Sequence, residues 1–159
     1  MSIVNQFKTH EVQNQPFALA NYNAWETDTA LKEAVAREGA AWAASHLKEF
    51  GALTGGNLIT SGFLANENKP KLRNFDSYGR RIDEVEFHPA YHDLMRAGMK
   101  YGMSNFAWRN EERDSAHVAR AAVMYLGSQP EAGFVCPMSI SYAAIPALRH
   151  SPALAEKWL

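Results

Sequence analysis

The sequence predicts a mainly α-helical domain carrying an extended N-terminal arm over residues 1–26 and a small β-hairpin near residues 71–87. Three observations carry that reading. Beyond residue 27 apolar residues recur at three- or four-residue steps, the spacing that gathers them on one helix face. One heavily charged stretch instead places isolated apolar residues on either side of a turn. The last long block, Gly133 to Leu148, has no charge on any face between Met138 and Leu148, so as a helix it must be enclosed by other elements or by a partner. Everything upstream reads as its jacket.

The arm, residues 1–26, shows neither helical nor strand period, yet holds Pro16, Phe17, Leu19, Tyr22 and Trp25, more aromatic content than a disordered tail carries. Its aromatics are expected to dock on the body or on a neighbouring subunit. Thr27 or Asp28 offers an oxygen to cap the first helix. Leu31, Val35, Gly39, Trp42 and His46 then share one face of a helix ending near Phe50, loosened at Gly39. Gly51, Gly55 and Gly56 mark a turn, and Leu58, Ile59, Gly62 and Phe63 suggest a second helix before Pro70.

Leu72 and Phe75, then Asp76-Ser-Tyr-Gly79, then Ile82, Val85 and Phe87 predict the hairpin, a surface flap that should lean on the helices because an isolated hairpin is marginal in water. Pro89 suits the first turn of the next helix, with Tyr91, Leu94, Met95 and Gly98 inward. Asp114 or Ser115 can cap the following helix, whose expected inner face is Val118, Ala121, Ala122 and Tyr125, stopping before Pro130. Pro146 predicts a kink or restart inside the last block.

At 159 residues the chain fits one domain, able to remove roughly 70% of its unfolded surface from water. A net charge of −1 gives no field to steer it onto nucleic acid or anionic lipid. The N-terminus lacks the pattern of a signal peptide, and no apolar run approaches the ~20 residues of a membrane span. A cytoplasmic protein with no membrane partner is expected. The single Cys136, beside Phe134, Val135, Pro137 and Met138, reads as a buried, inert thiol.

Candidate chemistry is sparse. His88 and His92 have the four-residue spacing of paired metal ligands, but no third ligand is evident and no metal is expected. Glu111, Glu112 and Asp114 sit beside Arg109 and Arg113, as a self-neutralising bend does. Gly51 to Gly56 matches neither phosphate-binding glycine pattern. Lys69, Lys71, Arg73, Arg80 and Arg81 form the local basic patch, offset by Asp83, Glu84 and Glu86. Ser139, Ser141 and Tyr142 are hydroxyls in an apolar segment; they must find partners, by back-bonding to the helix or at a ligand-facing cavity.

A longer set of short motifs runs through the chain: Thr9-His10-Glu11-Val12 with Asn14-Gln15-Pro16, Arg37-Glu38-Gly39-Ala40, Gly79-Arg-Arg-Ile-Asp-Glu-Val85 with Phe87-His88-Pro89, Val118-Ala-Arg-Ala-Ala122, Glu131-Ala-Gly133 and Cys136-Pro137. In order and spacing this set resembles the N-terminal domain of the AidB-type alkylation-response proteins, a branch of the acyl-CoA dehydrogenase flavoproteins. The resemblance implies the helical N-terminal domain of a three-part fold, followed by a β-domain and a C-terminal helical bundle. It further implies FAD between those two later domains, an acyl pocket roofed by the N-terminal helices, and a homotetramer in the full form. In such proteins a carboxylate base removes the proton alpha to the thioester, hydride passes to the flavin, and the protein supplies position and shielding. The AidB branch is associated with protecting DNA from alkylation through a basic C-terminal region.

The family's flavin loop, catalytic carboxylate and basic region all correspond to positions beyond Leu159, so the resemblance assigns no catalytic and no cofactor-binding residue here. Met138, Ser139 and Tyr142 are the expected lining of the acyl pocket. Residues 27–159 are then the pocket-roof and assembly domain of an FAD-dependent oxidoreductase linked to the alkylation response. Alone it is inactive, with the remaining domains, sister subunits and acyl-CoA as partners and DNA reached only through the C-terminal region. The alternative is a stand-alone helical interaction module derived from such a domain, whose apolar terminal block would drive self-association.

Overall fold

The structure, a computed structural model, describes residues 9–159; residues 1–8 of the expected arm lie outside them. Residues 9–23 form no helix or strand. Phe17 is fully exposed, so it does not dock on this chain, whereas Tyr22 packs against the core and Trp25 is buried within it. The first helix already forms at Ala24–Thr27 (α1), because the Asn23 carboxamide oxygen accepts from the backbone N–H groups of Trp25 (3.0 Å) and Glu26 (3.1 Å).

Asp28 then caps α2, Thr29–Arg37, accepting from the Leu31 N–H at 2.8 Å. The single helix expected to run to Phe50 is instead two. Gly39 takes φ +80°, a left-handed turn that ends α2. The chain re-enters through a short 3₁₀ turn, Ala41–Ala43, into α3, Ala44–Thr54. Next comes α4, Asn57–Glu67. Gly62 lets α4 touch the loop after the sixth helix: a Cβ there would lie 2.1 Å from the Pro130 carbonyl oxygen.

Strands β1, Lys71–Phe75, and β2, Arg81–Glu86, pair antiparallel with Leu72 opposite Val85, and the register slips between Arg73 and Phe75. The turn is the expected one, with the Asp76 carboxylate accepting from the N–H groups of Tyr78 (2.8 Å) and Arg80 (2.9 Å). Leu72, Phe75, Tyr78 and Val85 are exposed, so the blade of the flap stands clear of the helices. Its base is anchored where Phe87 stacks on Tyr91 at 4.3 Å between ring centroids.

Helix α5, Pro89–Lys100, has proline in its first turn and buries Leu94 and Gly98, with Tyr91 and Met95 half-buried, as the periodicity predicts. Helix α6, Ala116–Ser128, stops before Pro130, but its inner face is Ala119, Ala122, Val123 and Leu126. Ala121 and Tyr125, expected inside, are exposed. Ser115, at φ +60°, makes no side-chain cap. The fold centres on α3 packed against α6, with Leu47, Phe50, Leu94, Met103, Val123, Leu126 and Phe134 fully buried between the helices. Trp42 ties the two together by donating from its indole N–H to the Asp114 carbonyl at 3.0 Å.

The terminal block is not at that centre. It forms α7, Val135–Arg149, followed by α8, Pro152–Trp158, and of α7 only Met138 is buried. Cys136, expected inside, is exposed. Nor does Pro146 end the helix. Its missing N–H leaves the carbonyl of Tyr142, one turn earlier, without a helical donor, and the Trp108 indole N–H fills that place at 3.1 Å. The restart comes at Ser151 instead, where α8 begins with Pro152 in its first turn.

Candidate functional site

A groove of about 690 Å³ runs along α7 and under α8. Ser141, Ala144, Ile145 and Leu148 supply one wall, Ser104, Asn105, Trp108 and Arg109 the other, and Trp158 and Leu159 close its end. It is mainly apolar with a few polar groups at the rim, and its volume falls in the range of small-molecule sites.

A knot of side chains behind Tyr142 braces the groove. Its ring stacks on Trp108 with centroids 5.2 Å apart, the Arg120 guanidinium lies 3.9 Å above it, and its hydroxyl hydrogen-bonds His117 Nδ1. Arg120 also donates from Nε to the Met103 carbonyl at 2.8 Å, while its Nη2 is buried without a partner. Burial pushes the Arg120 guanidinium below its ordinary pKa, and the nearby Tyr142 oxygen opposes that shift. Arg149 lies over Trp108 at 5.1 Å and donates to the Glu111 carboxylate at 2.9 Å. Helices α6 and α7 thus place His117, Arg120 and Tyr142 together, and the 3₁₀ turn Trp108–Asn110 adds the indole.

The three residues expected to line a pocket occupy the inner and flanking sides of α7. Met138 is buried against Phe134 and the core, Ser139 is half-buried, and Tyr142 turns toward α6. The groove itself borders on Ser141, Ala144, Ile145 and Leu148, one step round the helix. Ser141 back-bonds to the Pro137 carbonyl at 2.9 Å, the ordinary behaviour of a helical serine. Trp108 and Arg109, in a stretch without periodicity, carried no sequence signal for a site. The signal that was available was the apolar pair Ile145 and Leu148, three apart on a helix already known to be uncharged.

The other candidates resolve into structural roles. His88 Nδ1 accepts from the Ala90 N–H at 3.2 Å and caps α5, and His92 is an exposed ring set edge-on to Tyr91. No group of three metal-ligating side chains exists among the described residues. Arg73 pairs with Glu86, Arg81 with Asp83 at 2.7 Å and Arg80 with Asp76 at 3.8 Å, so these hairpin arginines are matched by carboxylates. Gly51 and Gly55 are packing glycines: a Cβ on Gly55 would lie 2.2 Å from the Tyr22 carbonyl oxygen. Among the described residues, no helix is long and apolar enough to cross a membrane.

Comparison with known proteins places this geometry in a lineage. The model of the adaptive response protein AidB N-terminal domain matches residues 14–159. The AidB protein of Escherichia coli (strain K12), named for an acyl-CoA dehydrogenase, is 44% identical over 154 residues, covering 96% of this chain and 28% of that protein. The solved apo form of Bd2924 superimposes with a TM-score of 0.77 at 25% identity, over 89% of this chain and 28% of its own. Caenorhabditis elegans ACDH-11, solved in complex with C11-CoA, shares the fold with a TM-score of 0.76 at 21% identity, over 98% of this chain and 28% of its own. The chain spans 28% of the length of each of these relatives. With the match running from the first cap through α8, the chain belongs to the AidB N-terminal domain family of acyl-CoA dehydrogenase-like proteins.

Proposed function

We propose that this chain is the pocket-roof and assembly domain of a longer FAD-dependent, acyl-CoA dehydrogenase-like protein of the DNA alkylation response. The supporting observation is the outward face of α7 and α8. Ile140, Leu154, Trp158 and Leu159 are all exposed there beside an apolar groove, a surface that calls for cover by further protein. In this reading Ser141, Ile145 and Leu148 face the acyl chain of an acyl-CoA, while Met138, Ser139 and Tyr142 form the course behind them. Sister subunits of a cytoplasmic homotetramer and the parent's own later domains supply the cover, and DNA is met only through the parent's basic C-terminal region.

The chain carries no G-x-G-x-x-G turn of the dinucleotide-binding kind. The acyl-CoA dehydrogenase relatives support FAD in the full-length parent, and in this reading its later domains hold the cofactor, which would supply the hydride-accepting ring there. This domain contributes position and exclusion of water, and no catalytic group.

The test has two arms. Isolated from its own cells, the protein should have a mass several times the 17.7 kDa of this chain and carry the visible absorbance of bound flavin. The 159-residue chain given a branched short-chain acyl-CoA and an electron acceptor should show no turnover. Sustained turnover by the short chain would overturn the proposal, and so would a native protein of 17.7 kDa without flavin, which would favour a stand-alone interaction module.

A further inference from the structure

Behind the groove, sharing Asn105 and Arg109 with it, lies a second and more polar pocket of about 330 Å³. It opens between α3, the end of α5 and the loop to Asn110, with His46, Lys100, Tyr101, Phe106 and Asn110 among its walls and no Asp or Glu among them. Arg109 is singular. Every other arginine of the chain has a carboxylate partner or, for Arg120, the Met103 carbonyl. Arg109 has no such side-chain acceptor among the described residues. Lys100 likewise has no carboxylate partner among them; its ammonium lies 5.3 Å from the Tyr101 ring centroid.

A helix C-terminus ordinarily turns free carbonyls outward, which disfavours an anion. Here the turn after α5 takes up three of them. Gly102, at φ +77°, lets its own N–H reach the Met99 carbonyl (3.1 Å) and the Met103 N–H reach that of Gly98 (2.9 Å). The Tyr101 N–H takes the Ala97 carbonyl at 3.0 Å, and the Phe106 N–H takes that of Gly102 at 2.8 Å. His46 Nε2 donates to the Tyr101 carbonyl at 2.9 Å, which fixes its tautomer. Among the described residues, the charged side chains left in the pocket wall without a carboxylate are the Arg109 guanidinium and the Lys100 ammonium. The Asn105 carboxamide oxygen is buried without a partner and lies out of a ligand's reach.

We propose that this pocket binds the phosphate group of a small molecule, with the Arg109 guanidinium as a two-pronged donor and the Lys100 ammonium as a point charge. The inference goes beyond the roof-domain reading and does not depend on FAD or on turnover. Whether the phosphate is free or is the head of a molecule whose apolar body lies in the adjoining groove is decided by comparing two probes.

The ¹⁵N-labelled chain is titrated at fixed ionic strength with inorganic phosphate and, separately, with octyl phosphate. Saturable shifts should be confined to amides between Lys100 and Asn110 and around His46, with half-saturation on the order of 1 mM for inorganic phosphate, a weak site by affinity arithmetic. Tighter binding of octyl phosphate, with added shifts at Ile145 and Leu148, identifies a ligand with an apolar body; equal affinity identifies free phosphate. Arg109→Gln should weaken binding about tenfold or more and Arg109→Lys less, since the charge survives but the fork does not. Lys100→Gln serves as a second variant, and both side chains project to the surface, so thermal midpoints should stay put. Linear, unsaturating shifts, or titrations unchanged in both Arg109→Gln and Lys100→Gln, would overturn the proposal.

Discussion

Gly62 shows how one residue decides where two elements meet. Alanine is the better helix former by up to about 1 kcal/mol, yet its methyl carbon would be driven to 2.1 Å from the Pro130 carbonyl oxygen, a backbone atom that cannot rotate aside. Overpacking of this sort costs about 1–3 kcal/mol, so the clash outweighs the propensity. Gly62→Ala should lower the thermal midpoint by several degrees, read by circular dichroism; an equal or raised midpoint would show that α4 can slide away from the loop. The sequence displayed Gly62 only as one of the residues that suggest the second helix, because the close approach depends on a residue 68 positions away. Pro146 was legible as a kink or restart, and the helix does not restart there for the same reason, since the donor that replaces its N–H is the Trp108 indole. Cys136 failed differently: its apolar neighbours in sequence point to other sides of α7.

Elements were read more securely than faces. The helices of α4, α5 and α6, the two strands and the Asp76 turn fall close to where periodicity and turn chemistry put them, since each is specified within a few residues. Gly39 was seen as a weak point, but whether glycine merely loosens a helix or ends it turns on its φ, which period cannot report. On α6 the inner face lay rotated from the expected one, because alanines stand on several sides and small residues do not announce which side is packed. The hairpin's reliance on its own turn leads to a prediction. Asp76→Ala removes the acceptor for two turn N–H groups, each net worth roughly 0.5–1.5 kcal/mol. Amides of β1 and β2 should then exchange hydrogen at least about fivefold faster, with the helical circular dichroism unchanged. Unchanged exchange would mean the flap is held by something other than its turn.

For the molecule as a whole, the sequence placed its centre wrongly and its nature rightly. The uncharged block was recognised as needing cover by other elements or a partner, but within this chain α3 and α6 make the core and α7 lies outside with its apolar flank exposed. No pattern in a single helix distinguishes a flank buried by its own domain from one buried by the next. The groove was legible only as far as α7, because its second wall comes from the aperiodic 104–109 stretch. The isolated chain should bind an apolar dye such as ANS on this face. Ile140→Ser together with Leu154→Ser should reduce that fluorescence while shifting stability by no more than about 0.5 kcal/mol, as expected of exposed positions. Dye binding that ignores both substitutions would place the adhesive surface elsewhere, with the hairpin the next suspect.

The Trp42 indole bond to Asp114, described above as a tie between α3 and α6, has a consequence for the chain before it folds. It spans 72 residues, and bringing together the ends of so long a segment costs on the order of 4 kcal/mol of chain entropy in the flexible-loop limit. The helices and hairpin inside that segment can form on local contacts and shorten the search. The core has no such shortcut, and its central seam exists only once the loop is closed.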